Sequence, residues 1–208
     1  MRSGLTLQRL LAVVLVSLLA AIAVVLVVGR RSVHPATLAA KSQLAWFLPA
    51  GLHAADFSLT DQSGRRATLS QYRGSVVVLT FIHSLCKDTC PFMVEQIKGA
   101  LNELRGLGRN VPAIGVSVAP AEDTVANRRR FLARHEMTGR MAFVNGSASA
   151  LRRVWHAYAI QPVQGPIDHS TYVLLIDKRG IERVGIPADA LTPDGLAYDI
   201  GALEREPG

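Results

Sequence analysis

The sequence predicts an α/β fold, a mixed sheet with helices on both faces, preceded by one N-terminal transmembrane helix. Three observations carry that prediction. The run from Leu10 to Val28 holds no charged residue, proline or glycine, and about 20 such residues at 1.5 Å each cross a roughly 30 Å hydrocarbon core. Beyond residue 55, short β-branched apolar runs alternate with stretches whose apolar residues recur every three or four positions, the helical period. The chain then closes with two strand-type runs joined through Asp177–Gly180, followed by a last helix.

Length and composition agree. The chain has 208 residues, enough for one domain and a short appendage. Hydrophobic residues make up 49% and charged residues 19%, a balance that excludes disorder over most of the length. The net charge of +7 invites a nucleic-acid reading, but Arg2, Arg9, Arg30 and Arg31 flank the apolar run. Without them 19 basic residues face 16 acidic ones, and no basic run is interleaved with stacking aromatics. The excess reads as membrane-flanking charge, with no nucleic-acid partner. Arg128, Arg129 and Arg130 read as a solvated helix face.

The domain order follows. Residues 1–9 are a cytoplasmic stub, 10–28 a transmembrane signal anchor, 29–54 a linker with Pro35 and Pro49, and 55–208 the folded domain. So short a stub leaves the rest of the chain to be exported. The rival is a cleaved signal peptide, but its apolar core is about 7–15 residues long and ends at a small-residue site; Val28-Gly29-Arg30-Arg31 is a poor one. The expected location is the bacterial inner membrane, single-pass, with the C-terminal domain periplasmic. Trp46 and Phe47 suit either the domain or the membrane interface.

Within the domain, Phe57–Thr60 and Ala67–Leu69 flank the turn Asp61–Gly64 as a short hairpin. Val76–Ile82 is uniformly apolar, as in a strand buried on both faces. A helix from about Cys90 to Leu107 places Met93, Ile97, Leu101 and Leu104 on one face. Val111–Val118 is a strand, and Asp123–Glu136 a helix with Val125, Phe131 and Leu132 inward. Met141–Val144 is a short strand, and Ser147 caps a helix to Tyr158. Thr171–Ile176 and Ile181–Ile186 form a hairpin, and Thr192-Pro193-Asp194 opens the last helix with proline at its first position. The order of elements is thioredoxin-like.

The two cysteines, Cys86 and Cys90, lie where the buried strand ends and a helix begins, the place where α/β folds put ligand sites. A spacing of four brings both sulfurs to one side of a helical turn, able to share a metal or to form a disulfide. The helix N-terminus favours thiolate. A purely structural bridge closing so short a loop would constrain the unfolded chain little. Among the histidines, His34 and His53 fall in the linker, His135 and His156 on solvated helix positions, and His83 at the strand end. His169 sits in a Pro/Gly loop entering the strand Thr171–Ile176, which in a thioredoxin-like sheet faces the cysteine helix.

Several segments together resemble the Sco/SenC family of membrane-anchored thioredoxin-fold copper proteins. They are Phe57–Asp61 with Gly64, Leu69–Gly74, Cys86-x-x-x-Cys90-Pro91, Ser117–Thr124, and Asp168–Tyr172 with Ile176-Asp177 and Gly180. The resemblance implies a copper-binding metallochaperone that assists metallation of the binuclear copper site of cytochrome c oxidase. It implies copper as the metal, with Cys86, Cys90 and His169 as ligands, and as partners the copper-site subunit of the oxidase, a copper donor protein and the membrane. Thiolates select cuprous copper, and an added imidazole supports the cupric state. The chain departs from the family at Lys87, where proline is frequent, and at Ala119-Pro120, where Asp-Pro is frequent; neither change removes a ligand.

The alternative is a thiol-disulfide oxidoreductase acting on partner cysteines through a redox-active Cys86–Cys90 pair. Against it, such enzymes normally use C-x-x-C. A peroxidase reading, with Ser84 near a reactive cysteine, lacks the usual Pro-x-x-x-Thr-x-x-Cys context.

Overall fold

The computed structural model describes residues 51–161 and 172–208, with Leu15, Ser17 and the backbone of Trp46 and Phe47. The expected span 10–28 lies outside the described residues except for Leu15 and Ser17, both helical. Among the described residues no helix is long and apolar enough to cross a membrane. The chain divides into two units, residues 1–40 and 41–208, and all the elements below belong to the second.

The central strand β4 (Val77–Ile82) is buried at every position. Its side chains alternate between two cores, as the pleat requires: Val78 and Ile82 face one, Val77, Leu79 and Phe81 the other. β4 pairs in parallel with β5 (Ala113–Ser117) and antiparallel with β7 (Tyr172–Ile176). β5 pairs in parallel with β6 (Met141–Val144), and β7 antiparallel with β8 (Glu182–Pro187). β1 (Trp46–Phe47) adds to β8, giving the order β1-β8-β7-β4-β5-β6. Sheet pairing therefore starts upstream of residue 55. The hairpin β2 (Ser58–Thr60) and β3 (Arg66–Thr68) forms a separate two-stranded sheet.

Helices α1 (Thr89–Gly106), α2 (Val125–Arg134) and α4 (Pro193–Arg205) cover one face. Met93, Ile97, Phe131, Leu132, Leu196 and Ile200 fill that core. α3 (Ala148–Ala157) and the β2–β3 hairpin cover the other, through Leu151, Val154, Leu59 and Ala67. The expected caps are present: the hydroxyls of Ser147 and Thr192 accept from the N–H groups of Ala150 and Gly195. The mixed α/β, thioredoxin-like prediction stands, with β5 beginning two residues later than expected.

α2 corrects three readings. Val125 is 42% exposed rather than inward, because it opens the first turn directly after the Thr124 cap. Arg128 is 3% exposed rather than solvated, because the inward spacing runs Arg128, Phe131, Leu132. Its guanidinium donates to the carbonyls of Thr60, Phe143 and Asp123 at 2.9, 2.5 and 3.1 Å, and burial pulls its pKa down. His135 is also buried: it stacks near Phe131 with ring centroids 4.7 Å apart, and its Nδ1 lies 2.8 Å from Glu95 Oε1. Along β6, Gln62 Oε1 accepts from Phe143 N–H at 2.9 Å, and Gln62 Nε2 donates to Met141 O at 3.3 Å.

Candidate metal centre

β4 ends at Ile82 and α1 begins at Thr89, so both cysteines stand at the C-terminal edge of the parallel strands. Cys90 lies in the first turn of α1, fully buried against the α1–α2–α4 core, while Cys86 in the preceding loop is only partly buried. No disulfide links them. Asp88 stands at the helix cap without a side-chain capping bond. The cap acceptor is instead the Cys86 sulfur, which takes the Cys90 N–H at 3.5 Å. Pro91 follows and has no N–H to satisfy, so the helix start leaves one orphan donor fewer. The Cys90 sulfur in turn accepts from His83 N–H at 3.4 Å, and Cys86 N–H donates to His83 O at 3.2 Å. Each sulfur thus accepts from a backbone N–H.

The loop is held from below by Asp123, which is fully buried. One carboxylate oxygen accepts from Ser84 N–H at 2.7 Å and the other from the Ser117 hydroxyl at 2.5 Å. Its backbone carbonyl accepts from Asn145 Nδ2 at 2.8 Å. Sequence reasoning did not single out Asp123. The available signal was its place in the polar segment Ser117–Thr124 at the end of a predicted strand, at the sheet edge where the cysteines also stand. The His83 ring meets Glu122, its Nε2 3.1 Å from Oε2. The Ser84 hydroxyl is buried with no hydrogen-bond partner among the described residues.

The structure brings Cys86 and Cys90 together. His169 and Asp168 lie outside the described residues. β7, which starts at Tyr172, runs antiparallel to β4, and Thr80 Oγ1 donates to Tyr172 O at 3.1 Å. The start of β7 is thus at the edge where β4 ends. Among the described residues no group of three or more His, Cys, Asp or Glu side chains is placed to hold a metal. Among the described residues the donors at this edge are the two cysteine sulfurs, soft ligands of the kind that suit cuprous copper.

A thioredoxin-like sheet carrying two thiols across the strand-to-helix turn defines a thiol protein equipped for soft-metal or disulfide chemistry. The SCO1/SenC family model matches residues 49–202, and the chain belongs to that family. It is 31% identical over 153 residues to the bovine (Bos taurus) mitochondrial protein SCO2 homolog, covering 72% of this chain and 54% of that one. The chain spans about half the length of the curated relatives it matches. Among solved structures, copper-bound ScoI of Bradyrhizobium japonicum is similar at 24% identity and a TM-score of 0.63, covering 74% of this chain and 99% of that one. BsSco, described as having a disulfide switch and as a member of the Sco family of cytochrome c oxidase assembly proteins, is similar at 20% identity. Its TM-score is 0.66, with 76% of this chain and 97% of that chain covered.

Proposed function

We propose that this chain is a membrane-anchored copper metallochaperone that carries copper on Cys86, Cys90 and His169 and assists assembly of the binuclear copper site of cytochrome c oxidase. The observation that carries the reading is the thiol pair itself, each sulfur facing a backbone N–H, in a chain of the SCO1/SenC family. His169 enters on the family motif, and the start of β7 at the cysteine edge supports it. The cargo is copper, received from a donor protein and passed to the copper-site subunit of the oxidase. Residues 10–28 anchor the chain in the bacterial inner membrane, a connector follows, and the domain whose sheet already takes in Trp46 and Phe47 works on the periplasmic side.

A second reading, reduction of partner disulfides, is favoured by one observation: Cys86 is partly exposed and hydrogen-bonded at sulfur while Cys90 is buried. This is the division of labour between an attacking and a resolving thiol. One variant separates the two roles. His169→Ala is assayed for copper transfer to a thiolate-rich acceptor and for reduction of a disulfide substrate. The expected result is loss of cupric binding and of transfer with disulfide reduction retained. Unchanged transfer would move the assignment to the reductase.

A further inference from the structure

Beside the thiols, between the cysteine loop and α2, lies a cleft of about 580 Å³. Leu85, Pro91 and Phe131 give it an apolar floor, Lys87, Arg130 and Arg134 form a cationic rim, and Cys86 opens onto it. All three cations are exposed, and Leu85 keeps 47% of its surface in solvent. Among the described residues none of the three makes an ion pair, and Arg130 donates only to Asn127 Oδ1 at 3.2 Å. Of the nearby carboxylates, Glu95 is engaged by Lys98 and His135 and Glu122 by His83, which leaves exposed Asp88, next to Lys87, as a single acid against three cations. Arg134 gains something from the C-terminus of α2, but Arg130, one turn earlier on the same face, does not. Three cations around an apolar floor from which Leu85 projects into solvent call for a ligand that brings carboxylates and an apolar surface together.

We propose that this cleft is the docking surface for an acidic segment of the thiol-bearing protein that exchanges metal or electrons with Cys86. The proposal rests on Cys86 being the working thiol. Its occupant is a peptide rather than a nucleic acid because the exposed part of the floor is aliphatic, Leu85 beside Pro91 over the buried Phe131, and stands at the Cys86 sulfur, with no exposed aromatic among the residues that line the cleft.

The test follows mixed-disulfide formation by the full-length reduced chain in detergent. The probe is a cysteine peptide activated with thionitrobenzoate, made with four flanking glutamates or four glutamines. The Cys86 thiolate attacks the peptide sulfur, a Cys86–peptide disulfide forms, the bond to thionitrobenzoate breaks, and that thiolate departs with the electron pair and is read by its colour. The glutamate peptide should react about tenfold faster than the glutamine peptide at about 20 mM salt, with the advantage fading at about 300 mM. In the combined variant Lys87→Gln, Arg130→Gln, Arg134→Gln the ratio should approach one. In Arg105→Gln, Arg152→Gln, Arg153→Gln, with the same change in net charge, it should persist. Altered sulfur reactivity cancels in the ratio. Equal rates for both peptides in the parent, or the same loss in the distant variant, would overturn the docking surface alone. A DNA oligonucleotide that competes as well as the free glutamate peptide would overturn it in favour of a general polyanion site. Slow release with every peptide would overturn the working thiol as well.

Discussion

Asp123 shows how one side chain can hold the cysteine loop from outside it. Its two carboxylate oxygens join the cysteine loop to the end of β5 through Ser84 N–H and the Ser117 hydroxyl. Asp123→Ala strands both donors in a fully buried place, and each unmet donor costs about 1–3 kcal/mol. Asp123→Asn keeps one oxygen for Ser84 N–H, and the Ser117 hydroxyl can rotate to accept from the new amide. The expected order of stability in urea denaturation is parent, then Asn lower by about 1 kcal/mol, then Ala lower by at least about 2 kcal/mol. Alkylation of Cys86 should quicken in the alanine variant as the loop loosens. Equal stability of all three would remove Asp123 from its positioning role.

At the level of elements, residues 10–28 carry the next prediction. An apolar run of that length without a charged residue should keep the full-length chain in the membrane pellet through alkaline carbonate, with the C-terminal domain cut only by protease on the periplasmic side. Release by carbonate, or a mature chain starting within or just after the apolar run, would count against the anchor. Periodicity made most elements legible: β4 as a continuous apolar run, α1 through Met93, Ile97, Leu101 and Leu104, α4 through Thr192 and Pro193. It failed on α2, where side-chain type suggested solvent for Arg128 and His135, and the core for Val125. Burial there is decided by partners remote in sequence, the carbonyls of Thr60 and Phe143 and the carboxylate of Glu95. The same limit hid Asp123. Spacing can place two sulfurs on one helical turn, but it cannot say which backbone N–H each will meet or which carboxylate holds the loop beneath them.

The whole molecule carries a pH dependence through Glu182 on β8. Burial pushes its carboxyl up to about 7 from 4.5, and the same burial raises the phenol of neighbouring Tyr172 to about 12. Between about 4.5 and 7 the unfolded chain gives up a proton that the folded chain keeps, so stability falls as pH rises through that window and levels off above it. The full effect is on the order of 3 kcal/mol. Glu182→Gln should flatten the slope, matching the parent near pH 4.5 and exceeding it near pH 8 by about 1–3 kcal/mol in urea denaturation; parallel curves would refute this. A different consequence follows at the outer rim of the sheet. β6 is its last strand, and the outward amide and carbonyls of Phe143 and Met141 are taken by Gln62 and Arg128. A second molecule finds no open template there for cross-β growth. On that rim, two ordinary side chains stand guard where the strand of another copy would otherwise zip on to begin a fibril.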